Sequence, residues 1–264
     1  MNTVNSSDGT TIAYDRAGSG PAVILVAGAF SDRKDPMMVG LAAAMAGDFT
    51  TYLYDRRGRG DSGDTAPYAP QREIDDLDAL IVEAGGRAVV FGGSSGGALA
   101  LEAAAAGSAI THLVVFEPPY VVGRDRGPVP TAAELDALVQ SGRRGEAVEQ
   151  FLVQGAEIPA EVVAGMKADP SWSHVESIAH TLVYEAAIVG PGPIPDSRLG
   201  RISVPTLVLH GSDSAPRMHA AAKAVAAAIP DSTLQILEGQ AHGALDPKNV
   251  ASVLTNFVNR TDPA

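Results

Sequence analysis

The stretch AVVFGGSSGGALAL, at residues 88–101, joins two different patterns at a turn made wholly of glycine and serine. Residues 88–91 are an unbroken apolar run typical of a buried strand, and residues 98–101 begin a helix pattern rich in alanine and leucine. A turn of the form G-x-S-x-G holds a serine on a sharp bend, and the small residues around it let strand and helix approach closely. The stretch therefore predicts a strand, a tight turn with an exposed nucleophilic serine, and a helix.

The motif fits this stretch in two registers, centred on Ser94 or on Ser95. We favour Ser94, because the apolar strand runs directly into Gly92 and the helix then leaves the N–H of Ser95 free to face a developing negative charge. Ser95 is the alternative nucleophile. A flexible linker is disfavoured because strand and helix patterns frame the turn, and a phosphate loop because no lysine follows the glycines.

Length and composition predict one large domain. The chain has 264 residues, of which 45% are hydrophobic, and this suits one α/β domain with an insertion better than two independent domains. All apolar runs are too short to span a membrane. Residues 1–6 have neither a basic cluster nor an apolar stretch, so we expect no signal peptide, no membrane partner and a cytoplasmic protein.

Cysteine content and charge exclude several classes of function. The chain has no cysteine, which removes disulfides, thiolate catalysis and cysteine-ligated metals. The formal net charge is −12 and the basic residues are scattered, so no nucleic-acid partner is expected. No metal, nucleotide or flavin motif is evident, and we expect the protein to need no cofactor. The sequence does not determine the oligomeric state, and a homodimer stays open.

Strand-like and helix-like segments alternate along the chain, which is the pattern of an α/β protein with a mainly parallel sheet. Strands are predicted at Thr11–Asp15, Ala22–Val26, Phe49–Tyr54, Ala88–Phe91, His112–Phe116, Pro205–His210 and Thr233–Leu237. Helices are predicted at Arg72–Glu83, after the Gly/Ser turn, just before Pro230 and near Pro247–Asn259.

The alternation breaks between about Tyr120 and Gly200. This segment contains helix patterns, several prolines and no convincing strand, and it includes a capping box at Thr131–Glu134. A helical segment inside a sheet protein is best interpreted as a lid. We therefore predict a core domain of residues 1–119 and 201–264, with a lid of residues 120–200.

A nucleophilic serine needs a histidine base, and that histidine needs an acid to orient it. Among six histidines, His242 is the favoured base, because it follows the last strand in a loop of small residues, where the carboxyl edge of the sheet gathers functional groups. The order of serine first and histidine last also fits. The others are predicted to pack in the lid or line its pocket (His174 and His180) or to be structural (His112, His210 and His219).

The chain resembles the α/β-hydrolase superfamily over essentially its whole length. The resemblance rests on the segment Val26–Ala29, the segment Tyr54–Ser62, the turn at Ser94 and the loop of His242. It implies a mainly parallel central sheet flanked by helices, with a helical lid inserted after the sixth strand.

The same resemblance also implies an oxyanion hole and sets two motif residues aside. The backbone N–H groups of Ala29 and Ser95 would form the hole, although the family's usual His-Gly is replaced by Ala27-Gly28. The segment after Tyr54 is a structural turn in this family, so Asp55 and Arg57 are not expected at the site.

The position of the acidic residue that would orient His242 departs from the pattern that is usual in this family. Most relatives carry aspartate three residues after the glycine that ends the strand, but here Ser214 stands there and Asp213 comes one place early. The competing candidate is Glu117, which directly follows the strand ending at Phe116, where a buried carboxylate would be costly unless paired. Zearalenone-type lactone hydrolases are similar in using a glutamate at this second position. We favour Glu117 and keep Asp213 as the alternative acid.

A serine nucleophile with this resemblance implies acyl transfer to water. The favoured substrate is a small, neutral, moderately apolar ester or lactone, because the lid lacks a positive cluster suited to a phosphorylated one. Among the bulky lid residues, Trp172 is the favoured substrate contact. Two enzymatic alternatives are carbon–carbon bond hydrolysis and a haloperoxidase-like activity on the same triad. A third alternative is a receptor of this fold that binds a small molecule without turnover.

Overall fold

The computed structural model describes residues 1–123, 129–191 and 194–261. Its strands are β1 (Asn2–Asn5), β2 (Thr11–Gly18), β3 (Ala22–Val26), β4 (Thr50–Tyr54), β5 (Ala88–Gly93), β6 (Ile110–Phe116), β7 (Thr206–Gly211) and β8 (Ser232–Leu237). They form one sheet in the order β1-β2-β4-β3-β5-β6-β7-β8. Pairing is antiparallel from β1 through β2 to β4 and parallel everywhere else. The prediction of a mainly parallel sheet is therefore confirmed.

Helices cover both faces of this sheet. They are α1 (Pro36–Met45), α2 (Pro70–Glu83), α3 (Ser95–Ala106), α4 (Ala132–Gln140), α5 (Arg144–Gln150), α6 (Ala160–Met166), α7 (Trp172–Ser177), α8 (Thr181–Val189), α9 (Asp196–Leu199), α10 (Pro216–Ala228) and α11 (Pro247–Thr261), with a short π-helix at Phe151–Gly155. None of these combines the length and apolar character that crossing a membrane would require.

Two apolar layers hold the helices to the sheet. On one face, side chains of α1 and α11 pack on the strands, with Leu41 and Leu254 fully buried. On the other face, α2, α3 and α10 do the same, with Leu77 and Val225 fully buried. Burial of both faces explains why the central strands are continuous apolar runs rather than alternating ones.

Between β6 and β7, the part of the chain that the structure describes contains helices and loops and no strand. Its helices α4 to α9 and the π-helix are hereafter called the helical segment. Helices α4 to α8 and the π-helix share a smaller apolar cluster that includes Leu135, Val148, Trp172 and Leu182, whereas Leu199 of α9 packs in the layer of α2, α3 and α10. The capping box predicted at Thr131 is present, since its side chain accepts from the N–H of Glu134 at 3.2 Å.

One strand was not predicted. Strand β1 has the sequence Asn-Thr-Val-Asn and pairs antiparallel with β2 at the edge of the sheet. Three of its four side chains are exposed, so the apolar pattern that reveals a strand is missing. Its pairing with β2 decides its conformation, and this partner is not visible in a local pattern.

The parallel register brings the carboxyl ends of four strands together. Gly93 of β5 lies beside Phe116 of β6, Phe116 lies beside Leu209 of β7, and Gly211 lies beside Leu237 of β8. The turns that follow these strands therefore meet at one edge of the sheet, where open α/β sheets bind ligands.

Candidate active site

Ser94 lies on a strained turn between β5 and α3. Its φ is 55°, in the left-handed region that residues with side chains rarely adopt. Its N–H donates to the carbonyl oxygen of Phe116 at 2.8 Å. A Cβ on Gly92 would lie 2.5 Å from the oxygen of Gly96, and one on Gly96 would lie 2.3 Å from the oxygen of Val26. Only glycine fits at these two positions, so α3 can begin directly against the sheet.

The neighbouring Ser95 has a different environment. It is the first residue of α3 and is buried, whereas Ser94 is partly accessible. The structure therefore presents Ser94 at the bend, which is the register favoured from the sequence, and it leaves Ser95 to supply a backbone N–H at the start of the helix.

His242 joins Ser94 to Glu117. Its Nε2 lies 3.2 Å from Oγ of Ser94, and its Nδ1 lies 2.7 Å from Oε2 of Glu117. The histidine side chain is 37% exposed, in the loop after β8, and its ring stacks on Phe116 at 6.0 Å between centroids. An ionised carboxylate can only accept hydrogen bonds, so Nδ1 carries the proton and Nε2 is free to accept one from Ser94. This is the connectivity of a serine, histidine and acid triad.

Glu117 is the buried member of this chain of hydrogen bonds. It follows β6 with a φ of 46°, and its N–H donates to Leu209 at 3.0 Å. Its Oε1 accepts from the N–H of Gly211 at 2.9 Å. Burial raises the pKa of Glu117, but hydrogen bonds from His242 and Gly211, together with the nearby Ser214 hydroxyl, outweigh it and lower the pKa below the usual value. The carboxylate is therefore ionised and can stabilise an imidazolium.

Asp213, the alternative acid, does not reach His242. It is exposed, and its carboxylate accepts from the hydroxyl of Ser212 at 2.8 Å. Its N–H donates to Gln240 at 3.0 Å. The turn after β7 instead buries Ser214 against Glu117. One position in the turn redirects the side chain, so this loop supplies the Gly211 amide donor to Glu117 rather than a carboxylate to His242.

The two expected oxyanion donors, Ala29 and Ser95, line the same cavity as Ser94. A Cβ on Gly28 would lie 3.0 Å from Cβ of Ser94, so the loop after β3 passes directly against the serine. Neither backbone N–H donates a hydrogen bond to any residue in the described ranges. Both amides are therefore available to a substrate oxygen.

Asp55 and Arg57, which were not expected at the site, have structural contacts. The buried Asp55 carboxylate accepts from the N–H groups of Arg33 and Asp61, each at 2.8 Å. Arg57 pairs with Asp76 of α2 at 2.7 Å. Asp55 therefore fixes the turn after β4 to the loop after β3, and Arg57 fixes the same turn to α2.

A cavity of about 540 Å³ opens beside Ser94 and His242. Its polar lining includes Glu185 and Arg217. The remaining lining is mainly apolar and comes from the core and from the helical segment: Phe30, Met37, Met38, Phe116, Pro119, Val129, Pro130, Phe151, Leu152, Ile158, Val189 and Leu245. The rings of Phe30 and Phe151 meet edge to face at 5.7 Å between centroids. A cavity of this kind suits a small molecule with apolar groups on both sides of a carbonyl.

Trp172 is not among the residues that line this cavity. Its indole N–H donates to Glu176 at 2.9 Å, and its ring packs in the apolar cluster of the helical segment. The bulky residue of this segment that does reach the cavity is Phe151. A local pattern cannot distinguish Trp172 from Phe151, because both are aromatic residues in helix patterns.

Sequence reasoning also missed Arg59 and Glu185. Both are buried and form an ion pair, and Glu185 lines the cavity. They are 126 positions apart in the chain, so no local pattern could indicate that they meet. In the described ranges, no cluster of three or more histidine, aspartate or glutamate side chains has the arrangement of a metal site.

Comparison with known proteins agrees with this architecture. The model of the alpha/beta hydrolase family matches residues 23–253. An alpha/beta hydrolase from Sphaerobacter thermophilus is 49% identical, with a TM-score of 0.89 over 97% of this chain and 100% of that one.

More distant structures share the fold. An esterase from Rhodococcus is 23% identical, with a TM-score of 0.72 over 99% of each chain. An enol-lactonase from Burkholderia xenovorans is 20% identical, with a TM-score of 0.69 over 98% of this chain and 100% of that one. No curated protein has a significantly similar sequence. The family match spans most of the chain, and the protein therefore belongs to the alpha/beta hydrolase family.

Proposed function

We propose that the protein is a serine hydrolase that cleaves a small, neutral carboxylic ester or lactone through an acyl-enzyme intermediate. The observation that carries this proposal is the hydrogen-bonded chain Glu117, His242 and Ser94 at an apolar cavity. Ser94 replaces the aspartate that epoxide hydrolases and dehalogenases of this fold use, so acyl transfer is the favoured reaction.

The proposed reaction has two halves. In the first, Oγ of Ser94 attacks the substrate carbonyl carbon while Nε2 of His242 takes the hydroxyl proton. The tetrahedral oxyanion accepts hydrogen bonds from the N–H groups of Ala29 and Ser95. His242 then returns the proton to the leaving alkoxide, and the C–O bond breaks.

In the second half, water attacks the acyl group on Ser94, and His242 takes the water's proton and returns it to the serine. Glu117 stabilises the imidazolium that forms in each half. A lactone gives one product, a hydroxy acid, while an ester gives an alcohol and an acid. The cavity supports this substrate class, because its lining is mainly apolar and its charged residues, Glu185 and Arg217, are already paired.

A panel of p-nitrophenyl esters and lactones, assayed with the wild type and Ser94→Ala, tests the proposal. We expect turnover by the wild type, loss of turnover in Ser94→Ala, and a phosphonate adduct located on Ser94 by mass spectrometry of peptides. An adduct on Ser95 would show that the other register is the nucleophile. Tight binding of esters or lactones by a wild type that does not turn them over would overturn the hydrolase and favour a receptor of this fold.

A further inference from the structure

Arg59 binds the backbone of the expected oxyanion loop. Its Nη1 donates to the carbonyl oxygen of Gly28 at 2.6 Å and to that of Ser31 at 3.2 Å. The Gly28 oxygen belongs to the same peptide unit as the N–H of Ala29. Because this unit is planar and trans, its C=O and N–H point in opposite directions. A side chain that holds the Gly28 oxygen therefore also sets the direction of the Ala29 N–H.

The guanidinium of Arg59 is itself held by Glu185 of α8. Its Nη2 pairs with Glu185, and both side chains are buried. Arg56 donates to the same carboxylate at 3.0 Å and to the carbonyl oxygen of Ala27 at 3.3 Å. Two buried cations from the turn after β4 thus bind consecutive carbonyl groups of the loop. Glu185 of the helical segment pairs with both of them, and Glu73 of α2 also pairs with Arg56 at 2.7 Å.

Glu185 also lies near the second expected donor. Burial raises its pKa, but the charges of Arg56 and Arg59 lower the pKa below the usual value. Glu185 and Ser95 line the same cavity, so one ionised carboxylate binds the arginine behind the Ala29 amide and borders the cavity wall that carries the other amide.

The three arginines of this turn form two groups. Arg56 and Arg59 bind carbonyl groups of the loop after β3, whereas Arg57 does not. Arg57 pairs with Asp76 of α2 and with Asp8, and these contacts are structural. Arg59 has a different set of acceptors: its hydrogen bonds within the described ranges go to Gly28, Ser31 and Glu185. Arg57 therefore offers a matched control, because it is an equally buried guanidinium from the same turn.

We propose that Arg59, with Glu185 as its counterion, is a positioning residue that orients and polarises the Ala29 N–H toward the substrate oxyanion. This inference rests on the proposed hydrolase function. A charged group that donates a hydrogen bond to the C=O of a peptide unit polarises that unit. The N–H of the same peptide unit then gives a stronger hydrogen bond. An oxyanion donor acts mainly on the transition state, since that is where the negative charge develops.

The expected kinetic effect is a loss in kcat with little change in KM. Removing an oxyanion donor outright costs about 100- to 1,000-fold in kcat. We expect Arg59→Met to lower kcat about 10- to 100-fold, because the Ala29 amide is misoriented rather than lost, with KM within about threefold. Glu185→Gln should give a smaller loss in the same direction, and Arg59→Lys should recover part of the Arg59→Met loss.

The test measures kcat and KM on a p-nitrophenyl ester and the rate of phosphonate labelling of Ser94, on variants with native circular dichroism. Labelling forms a tetrahedral adduct in the oxyanion hole and is independent of turnover. Arg57→Met is the control, with lower stability expected but kcat within about threefold of wild type. Where Arg59→Met does not fold, Arg59→Lys and Glu185→Gln decide.

Three outcomes would overturn the inference: wild-type kcat and labelling in folded Arg59→Met, a loss that resides in KM, or an equal kcat loss in Arg57→Met. A wild type that neither hydrolyses esters nor reacts with the phosphonate would instead overturn the proposed function. A normal wild type with an unaffected Arg59→Met would overturn only the role of Arg59.

Discussion

Two buried carboxylates border the candidate site, and they are compensated in different ways. Glu117 is 0% exposed and Glu185 is 1% exposed, and the pKa of each is lowered despite burial. Glu117 is stabilised by neutral donors and by His242, whose charge depends on its protonation. Glu185 is stabilised by Arg56 and Arg59. Burial lowers the pKa of Arg59, but a guanidinium stays protonated at neutral pH whether or not the reaction proceeds.

We call Glu117 the reacting carboxylate, because its interaction with His242 changes during the reaction. We call Glu185 the holding carboxylate, because its interactions with the arginines do not change. When His242 takes a proton from Ser94, the attraction between the imidazolium and Glu117 increases, so Glu117 contributes in the transition state. The attraction between Glu185 and its arginines is the same before and during the reaction. We therefore expect changes at Glu117 to affect rate more than stability, and changes at Glu185 to affect stability more than rate.

The largest expected loss of kcat comes from replacing Ser94 or His242, the two residues that complete the triad with Glu117. Ser94→Ala and His242→Ala should each lower kcat about 10⁴- to 10⁶-fold, because nucleophile and base act as one unit. The double variant should be no worse than either single variant, as measured by kcat on an activated ester. A double variant that loses far more activity than either single one would show that His242 is not the base for Ser94.

The next effect tests Glu117 itself. Glu117→Gln should lower kcat about 10⁴-fold, because glutamine keeps the shape but cannot stabilise the imidazolium or fix its tautomer. Asp213→Asn is the matched control, since Asp213 is exposed and contacts Ser212 rather than His242, and its kcat should stay within about tenfold of wild type. The opposite ranking would restore Asp213 as the acid.

For the free energy of unfolding, we expect the larger loss at Glu185 and the smaller loss at Glu117. Glu185→Gln removes the carboxylate that pairs with buried Arg59 and one of the two carboxylates that pair with buried Arg56, and losing one partner of a buried ion pair costs about 3 kcal/mol. Urea denaturation should show a loss of this order for Glu185→Gln and a smaller loss for Glu117→Gln. Equal losses, or a larger loss at Glu117, would contradict the division into holding and reacting carboxylates.

The smallest expected effect is on acid stability. The pKa of Glu185 is lower in the folded state, so its contribution is present above the ordinary glutamate pKa of about 4.3 and is lost as the pH falls below it. Urea midpoints between about pH 7 and about pH 3 should therefore fall less steeply in Glu185→Gln than in the wild type. Parallel curves would show that Glu185 adds nothing to the acid sensitivity.

The sequence predicted those parts of the fold that depend on local patterns. Buried parallel strands are long apolar runs, and the Gly/Ser turn around Ser94 has few alternatives, because Gly92 and Gly96 each lie against backbone oxygen. The edge strand β1 was missed, because its conformation depends on pairing with β2 and most of its side chains are exposed.

The candidate site was predictable only where its residues follow strand ends. His242 and Glu117 each follow a strand, and the parallel register brings those ends together. Arg59 and Glu185 meet through the packing of α8 on the core, and the choice between Trp172 and Phe151 depends on how the helical segment packs. Tertiary contacts of this kind leave no periodic signal in the sequence.

Glu117 accepts the hydrogen bond of the proton-bearing Nδ1 of His242 in the proposed triad, and proton NMR on protein with ¹⁵N-labelled histidine observes this proton. A proton in a short bond between imidazole Nδ1 and a carboxylate resonates far downfield of the amide region, and ¹⁵N labelling of histidine assigns it to a ring nitrogen. We predict that this resonance is present in the wild type and Asp213→Asn and absent from its downfield position in folded Glu117→Gln. Its persistence in Glu117→Gln together with its loss in Asp213→Asn would show that Asp213, not Glu117, orients His242.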